Sequence, residues 1–272
     1  MTMKQLQYVF IGAGNMGAAL INGILSKGIA AADTITAVDT DTAKLDRLKV
    51  RGVYTTTDIA AAIKNAGIII LCVKPQSIDS VAAAVAQGNK NNTPIISIAA
   101  GITIARLQKH FSSEIEIIRV MPNTPALIGY GMSGLAFAAH VSEKTRTVAL
   151  SIFNAIGETV VVDEPQLDAI TGLSGSGPAY IFQVIQALAA GGIDQGLPEE
   201  TAVRCAVQTV RGAAELIKQT GESPDTLTDK VSSPGGTTVA GLAAIRKQHG
   251  FEALREGVAA ATQRSRELGG GK

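Results

Sequence analysis

Charge of one sign is missing from this chain. Lys and Arg number 24 against 23 Asp and Glu, a net charge of +1, and no long run of either sign occurs. A chain so balanced gives no electrostatic reason to expect nucleic acid or an anionic membrane as its main partner. Long apolar runs are missing too. Stretches such as residues 68–73 are strand-length, far short of the ~20 residues that span a bilayer. Cysteine is scarce: Cys72 and Cys205 are the only two, each inside an apolar pattern, which reads as buried thiols in a reducing compartment. His110, His140 and His249 stand apart and form no zinc spacing, so no metal site is expected. Leu6 already leads into the first strand pattern, leaving no room for a signal peptide, and a cytoplasmic protein is expected.

Several catalytic signatures are also absent. There is no Walker A sequence, and residues 172–176 fall short of a nucleophile elbow because Ser176 stands where the second glycine belongs. No lysine occurs between Thr145 and Ile217, which removes a Schiff-base or general-base lysine from the start of the C-terminal part. Without a nucleophile or a metal, a cofactor must carry the chemistry.

What is present is a core and a glycine loop. With 272 residues, 46% hydrophobic and 17% charged, the chain can bury the interior of one large domain or two ordinary ones. Tyr8-Val9-Phe10-Ile11 runs as a buried strand into Gly12-Ala13-Gly14-Asn15-Met16-Gly17, and a helix follows to about Lys27, stopped by Gly28. In Gly-x-Gly-x-x-Gly the first glycine allows the tight turn, the second lets a pyrophosphate approach the backbone, and the third lets helix and strand pack closely. The unpaired N–H groups and positive dipole end of that helix suit an anion. A second strand, 34–38, ends at Asp39, which follows Gly17 by 22 residues, close to the ~20 expected of the acid that meets an adenosine ribose. Such a carboxylate accepts hydrogen bonds from both ribose hydroxyls and repels a 2′-phosphate, so Asp39 leans towards NAD. Lys44, Arg47 or Arg51 could soften that repulsion.

Strand and helix patterns alternate to about residue 163. Helices are expected at 42–49, 59–64, 77–87 (capped by Ser77), 103–110 (capped by Thr103) and 144–156. Strands are expected at 68–73, 95–99, 115–121, 133–138 and 159–162. This rhythm predicts an α/β domain with a mostly parallel, Rossmann-type doubly wound sheet over residues 1–163. From 164 to 272 no strand pattern follows. Helices are expected over 178–190, ended by Gly191-Gly192, then 198–219, 224–231, 239–247 and 251–268, with a frayed tail from 269. Their alanine-rich faces suggest cover by another subunit.

Open sheets bind ligands beyond the carboxyl ends of their strands. Lys74-Pro75-Gln76, Ala99-Ala100-Gly101 and Met121-Pro122-Asn123-Thr124-Pro125 stand at three such ends, as stiff walls for a nucleotide or as plain turns. Two small-residue loops, 171–178 and 232–238, offer backbone N–H groups and hydroxyls as carboxylate cradles, or simply join helices.

Taken together, Val73-Lys74-Pro75, Arg119-Val120-Met121-Pro122-Asn123-Thr124-Pro125, Gly175-Ser176-Gly177-Pro178-Ala179-Tyr180 and Asp229-Lys230-Val231-Ser232-Ser233-Pro234-Gly235-Gly236-Thr237-Thr238 give a chain that resembles the pyrroline-5-carboxylate reductases nearly end to end. The last segment weighs most. The resemblance implies NADP- or NAD-dependent reduction of a cyclic imino acid, 1-pyrroline-5-carboxylate, to L-proline. It implies cofactor contacts at Gly12, Ala13, Gly14, Asn15, Met16, Asp39, Val73, Lys74, Pro75, Ala99 and Ala100. It implies substrate contacts at Ser233, Gly236, Thr237 and Thr238, the Thr238 hydroxyl meeting the ring nitrogen, with Glu164 a further candidate. It also implies that the C-terminal domain pairs chains into homodimers, which in the family often stack five to a decamer. Asp39 departs from the neutral or basic residue of NADPH-using members. A β-hydroxyacid dehydrogenase relative would carry a catalytic lysine in helix 178–190, which has none. A non-catalytic nucleotide sensor has no use for the 232–238 cradle, and a purely structural oligomer leaves the strand-end residues unexplained.

Overall fold

A computed structural model describes residues 3–269. The frayed tail expected from Gly269 on falls at residues 270–272, outside them, and Gly269 closes the last helix. The strands are β1 (Tyr8–Ile11), β2 (Ile35–Val38), β3 (Tyr54–Thr56), β4 (Ile68–Leu71), β5 (Ile95–Ser97), β6 (Ile117–Met121), β7 (Gly131–Phe137) and β8 (Gly157–Val161). They form one eight-stranded sheet in the order β3-β2-β1-β4-β5-β6-β7-β8. Among them lie α1 (Asn15–Ser26), α2 (Thr42–Lys49), α3 (Ile59–Ile63), α4 (Ile78–Gly88), α5 (Ile104–Gln108) and α6 (Glu143–Asn154). The strand order reverses between β1 and β4, which opens a crevice beyond their carboxyl ends.

Strand periodicity sorts the interior into two layers. Tyr8, Phe10, Ile68, Ile70, Ile96, Ile118 and Val120 share a core with α1 and α6 residues. Their neighbours Val9, Ile11, Ile69, Leu71, Ile95 and Ile117 share the opposite one with α4 and α5 residues. Each fully buried aliphatic contributes roughly 1.5–3 kcal/mol, so both faces hold the sheet.

All neighbouring strands are parallel except β6 and β7. Only residues 122–130 separate those two, too few for the dozen or more that a parallel crossover needs. Pro122 and Pro125 break the strand, a 3₁₀ turn Thr124–Ile128 follows, and Gly129 at φ +81° turns the chain back. β3 extends the sheet beyond the expected strands. Thr103 caps α5 by accepting from the Arg106 N–H, whereas Ser77 takes the cap position of α4 without a side-chain bond.

The chain divides into two compact units: residues to Gly175 together with those from Ala261 onward, and Ser176–Ala260. In the first, α7 (Leu167–Ile170) runs into a π turn, Thr171–Gly175. The expected 171–178 loop is therefore helical, with Thr171 and Ser174 hydroxyls donating to Leu167 O and Ile170 O. Its small residues serve close packing, since a Cβ on Gly175 would lie 2.7 Å from Met121 Cε. The second unit holds α8 (Gly177–Asp194), α9 (Glu199–Thr220), α10 (Pro224–Lys230), α11 (Thr237–Lys247) and the first half of α12 (Gly250–Gly269). α8 passes through Gly191-Gly192 instead of ending there. A Cβ on Gly192 would lie 3.3 Å from Ala202 Cβ, so that glycine lets α8 and α9 approach. Cys205, expected to be buried, is exposed on α9. Burial pushes the Cys72 thiol well above its ordinary range. Among the described residues no helix is long and apolar enough to cross a membrane.

Candidate active site

The glycine loop occupies the crevice at β1. Gly12 has φ +108°, and a Cβ there would sit 2.5 Å from the Cys72 carbonyl oxygen, so glycine is required. Its N–H donates to Val38 O at 2.7 Å, and a Cβ on Gly17 would lie 2.1 Å from Gly12 O. The loop is thus pinned between the ends of β2 and β4. Gly14, in contrast, faces open space, with nothing within 4 Å of a Cβ position. It is the N-cap of α1 and supplies no side-chain bond, so the first N–H groups of the helix, from Asn15 and Met16, are left for an anion.

Asp39 follows β2. Its Oδ2 accepts from the Ala13 N–H at 2.8 Å and its Oδ1 from the Asp41 N–H at 2.9 Å, while Lys44 Nζ stands 3.6 Å from Oδ1. The acid therefore tethers the glycine loop to β2. Beside it opens a cavity of about 170 Å³ whose walls include Gly12, Asp39, Thr40, Ile59, Val73 and Val81. Apolar walls with an acid at the rim suit an adenosine. A hollow of about 410 Å³ between α1 and the 126–129 turn and another of about 530 Å³ beside Met3 and Ile29 are larger. Neither reaches Asp39 or the ends of β4 and β5, so the smaller cavity is the cofactor candidate.

Beyond β4, Lys74 is exposed and caps a 3₁₀ turn that opens with Pro75. Beyond β5, Ala99 is buried, Ala100 is exposed and Gly101 turns the chain at φ +73°. The crevice thus gathers the cofactor candidates from Gly12 to Ala100 at one sheet edge. Asn123 is engaged at both ends of its amide: Nδ2 donates to Ser174 O at 3.0 Å and Oδ1 accepts from the Met132 N–H at 2.9 Å. Glu164 accepts from the Ile104 N–H at 2.7 Å and from Arg119 Nη1 at 3.2 Å, so one of its oxygens is committed to protein partners.

The second cradle belongs to the helical unit. Gly235 has φ +69°, and the Gly236 N–H donates to Ser233 O at 2.9 Å. Gly236 therefore contributes space, not a free donor: a Cβ there would lie 2.4 Å from Ser233 Oγ. It is the N-cap of α11 with no side-chain bond, which leaves the N–H groups of Thr237 and Thr238 without helical partners. Lys230, closing α10 just before this loop, pairs with Glu222. The Ser232 hydroxyl is buried without a partner.

Comparison with known proteins extends the likeness along the whole chain. A pyrroline-5-carboxylate reductase from Synechocystis is 43% identical over 97% of this chain and 98% of its own. The chain belongs to the pyrroline-5-carboxylate reductase family. The family's dimerisation segment matches residues 164–268, and a model described as NADP oxidoreductase coenzyme F420-dependent matches residues 7–101. A solved pyrroline-5-carboxylate reductase from Coxiella burnetii superposes with a TM-score of 0.93 at 34% identity, covering 97% of this chain and 98% of that one. The Plasmodium falciparum reductase, solved with NADP bound, gives 0.87 at 28% identity over 98% and 99%. Sequence reasoning missed the second role of Asp39 on the glycine loop and the partners of Glu164. Contacts 26 and 60 residues apart leave no local pattern.

Proposed function

We infer that this chain reduces the C=N bond of 1-pyrroline-5-carboxylate, giving L-proline as the last step of proline synthesis. The observation that carries the reading is near full-length membership of the family, with the 229–238 segment intact. Bound in the crevice, a reduced nicotinamide supplies a hydride to C5, and one proton reaches the ring nitrogen. The chain's own part is to hold and orient. Gly12 to Met16 would receive the pyrophosphate, Asp39 the adenosine ribose, and residues 73–75 with Ala99 and Ala100 the walls of the cofactor. Thr237 and Thr238 N–H groups, beside Ser233 and the space left by Gly236, would hold the substrate carboxylate. The Thr238 hydroxyl would meet the ring nitrogen. A protonated imine is already electrophilic, so positioning supplies most of the rate, and Thr238 acts as a hydrogen-bond partner while solvent supplies the proton. Glu164 stays a weaker substrate candidate, because Arg119 and Ile104 already engage it.

The cofactor assignment is NADH in preference to NADPH. Asp39 supports it, and Lys44 at 3.6 Å tempers the repulsion of a 2′-phosphate enough for NADPH to serve more slowly. The reading includes a dinucleotide-binding domain over 1–163, a substrate-binding and dimerisation domain over 164–272, and a cytoplasmic homodimer stacked into a decamer.

The test is oxidation of NADH and of NADPH at saturating pyrroline-5-carboxylate, with Thr238→Ala alongside. Turnover with both and a faster rate with NADH are expected. The variant should lose about 10- to 100-fold in kcat/KM, as for a hydrogen bond to a charged group. No turnover by folded wild-type protein would overturn the reaction, and wild-type rates in the variant would remove Thr238 from the site.

A further inference from the structure

Arg119 on β6 is the only buried charged residue among those described, 5% exposed. An apolar side chain could fill the same volume, and a buried ion pair adds little net stability over one. What a buried charge does supply is direction. Arg119 Nη1 meets Glu164 Oε1 at 3.2 Å, and Nη2 lies 3.9 Å from Asp168 Oδ1. The same Glu164 oxygen takes the Ile104 N–H at 2.7 Å, and Ile104 opens α5 immediately after the 98–103 loop. The same Asp168 oxygen takes the hydroxyl of Ser265, in the second half of α12, at 2.6 Å. One turn on, α12 ends against that loop: a Cβ on Gly101 would lie 3.5 Å from Leu268 Cβ, and one on Gly269 would lie 3.2 Å from Gly101 O.

The loop is therefore gripped at its middle and its far end, by the end of α12 at Gly101 and by Glu164 at Ile104. In a doubly wound sheet the two halves of a dinucleotide lie on opposite sides of the switch point. With Asp39 and the adenosine cavity on the β2 side, the nicotinamide half falls on the side of β4 and β5, where Ala99 and Ala100 lie. We propose that Arg119, Glu164, Asp168 and Ser265 are positioning residues, a relay through which the last turns of α12 fix the 99–101 wall for the nicotinamide. The proposal rests on the reductase reading. None of the four transfers a proton or hydride, and Arg119, Asp168 and Ser265 reach the chemistry through that wall alone.

The test uses the full chain as Ser265→Ala, Ser265→Thr and Asp168→Asn. It compares kcat, the Kd for NADH by fluorescence titration, melting temperature, and the primary isotope effect on kcat with 4-deuterated NADH. A slack wall should lower kcat about tenfold or more in Ser265→Ala and Asp168→Asn. It should raise the isotope effect as hydride transfer becomes limiting, and leave Kd within about threefold because the adenosine half is held elsewhere. Ser265→Thr keeps the hydroxyl and should recover most of the rate. Wild-type kcat and isotope effect in Ser265→Ala and Asp168→Asn would overturn the relay. So would losses of kcat that only follow the fraction unfolded, with the isotope effect unchanged. Wild-type turnover in the same assay separates these failures from failure of the reductase reading, which would take the relay with it.

Discussion

The sheet and the helices solve the problem of apolar surface in opposite ways. In the sheet unit, Ile68, Ile69, Ile70 and Leu71 are each no more than 1% exposed, whereas Phe182 and Ile181 of the helical unit are 62% and 45% exposed. The helical unit's own buried cluster is three alanines, Ala189, Ala202 and Ala206, with Ile185 packed on them. A parallel sheet covered on both faces closes its core within one chain. A set of helices around alanines cannot, and leaves its large side chains for a second chain to cover. The match of the family's dimerisation segment to 164–268 fits that division: the sheet unit carries its own core, and the helical unit offers its open face to self-association.

The sharpest way to break this contrast is to charge the open face. Phe182→Asp puts a carboxylate where the single chain tolerates it but a covered apolar face does not. We expect self-association to weaken at least about 100-fold, read by light scattering over a dilution series. Wild-type size at every dilution would exclude that part of α8 from the interface. The next effect in size should come from the sheet. Ile70→Ala removes a fully buried side chain and should destabilise by about 2–5 kcal/mol in urea unfolding. Its deficit relative to wild type should be the same in dilute and concentrated protein, unlike that of Phe182→Asp.

The smallest effect tests a surface clamp of the sheet unit. Arg106 first and His110 second hold the Asp79 carboxyl at about 2, below the ~3.9 of an unfolded Asp. Because the folded value is depressed, the stabilisation is present above about pH 4 and is lost as pH falls towards 2. Asp79 is half exposed, so solvent screening keeps it under about 1 kcal/mol. Melting curves of Asp79→Asn and wild type should differ slightly at neutral pH and converge between about pH 4 and 2. A constant gap down to pH 2 would show that the clamp contributes nothing.

The same division decided what could be read from sequence. Buried parallel strands announce themselves as apolar runs, so β1, β4, β5 and β6 were legible, as was the glycine loop whose spacing has a steric cause. β3 was not: Tyr54-Thr55-Thr56 is a three-residue edge strand with no apolar run. Gly172, Ser174 and Gly175 read as a loop by composition, yet they form a π turn that continues α7, and tight packing at Met121 favours the small residue at Gly175. Gly192 misled for a similar reason, the close approach of α9 at Ala202. The place of Asp39 at the end of β2, beside the glycine loop, was legible from strand end and spacing. Its bond to Ala13, and the chain from Arg119 through Asp168 to Ser265, were not, since they join residues brought together only by the folded sheet.

The bond from the Ala13 N–H to Asp39 carries a lesson for anyone wishing to redesign this site. The usual first move in changing a dinucleotide preference is to replace the acid at the end of β2. Here that move also unties the glycine loop from β2 and leaves the Ala13 and Asp41 N–H groups without their acceptor. If Asp39 sets the cofactor preference proposed above, selectivity and loop order are coupled in one carboxylate, and a library that varies Thr40 and Lys44 while keeping Asp39 separates them.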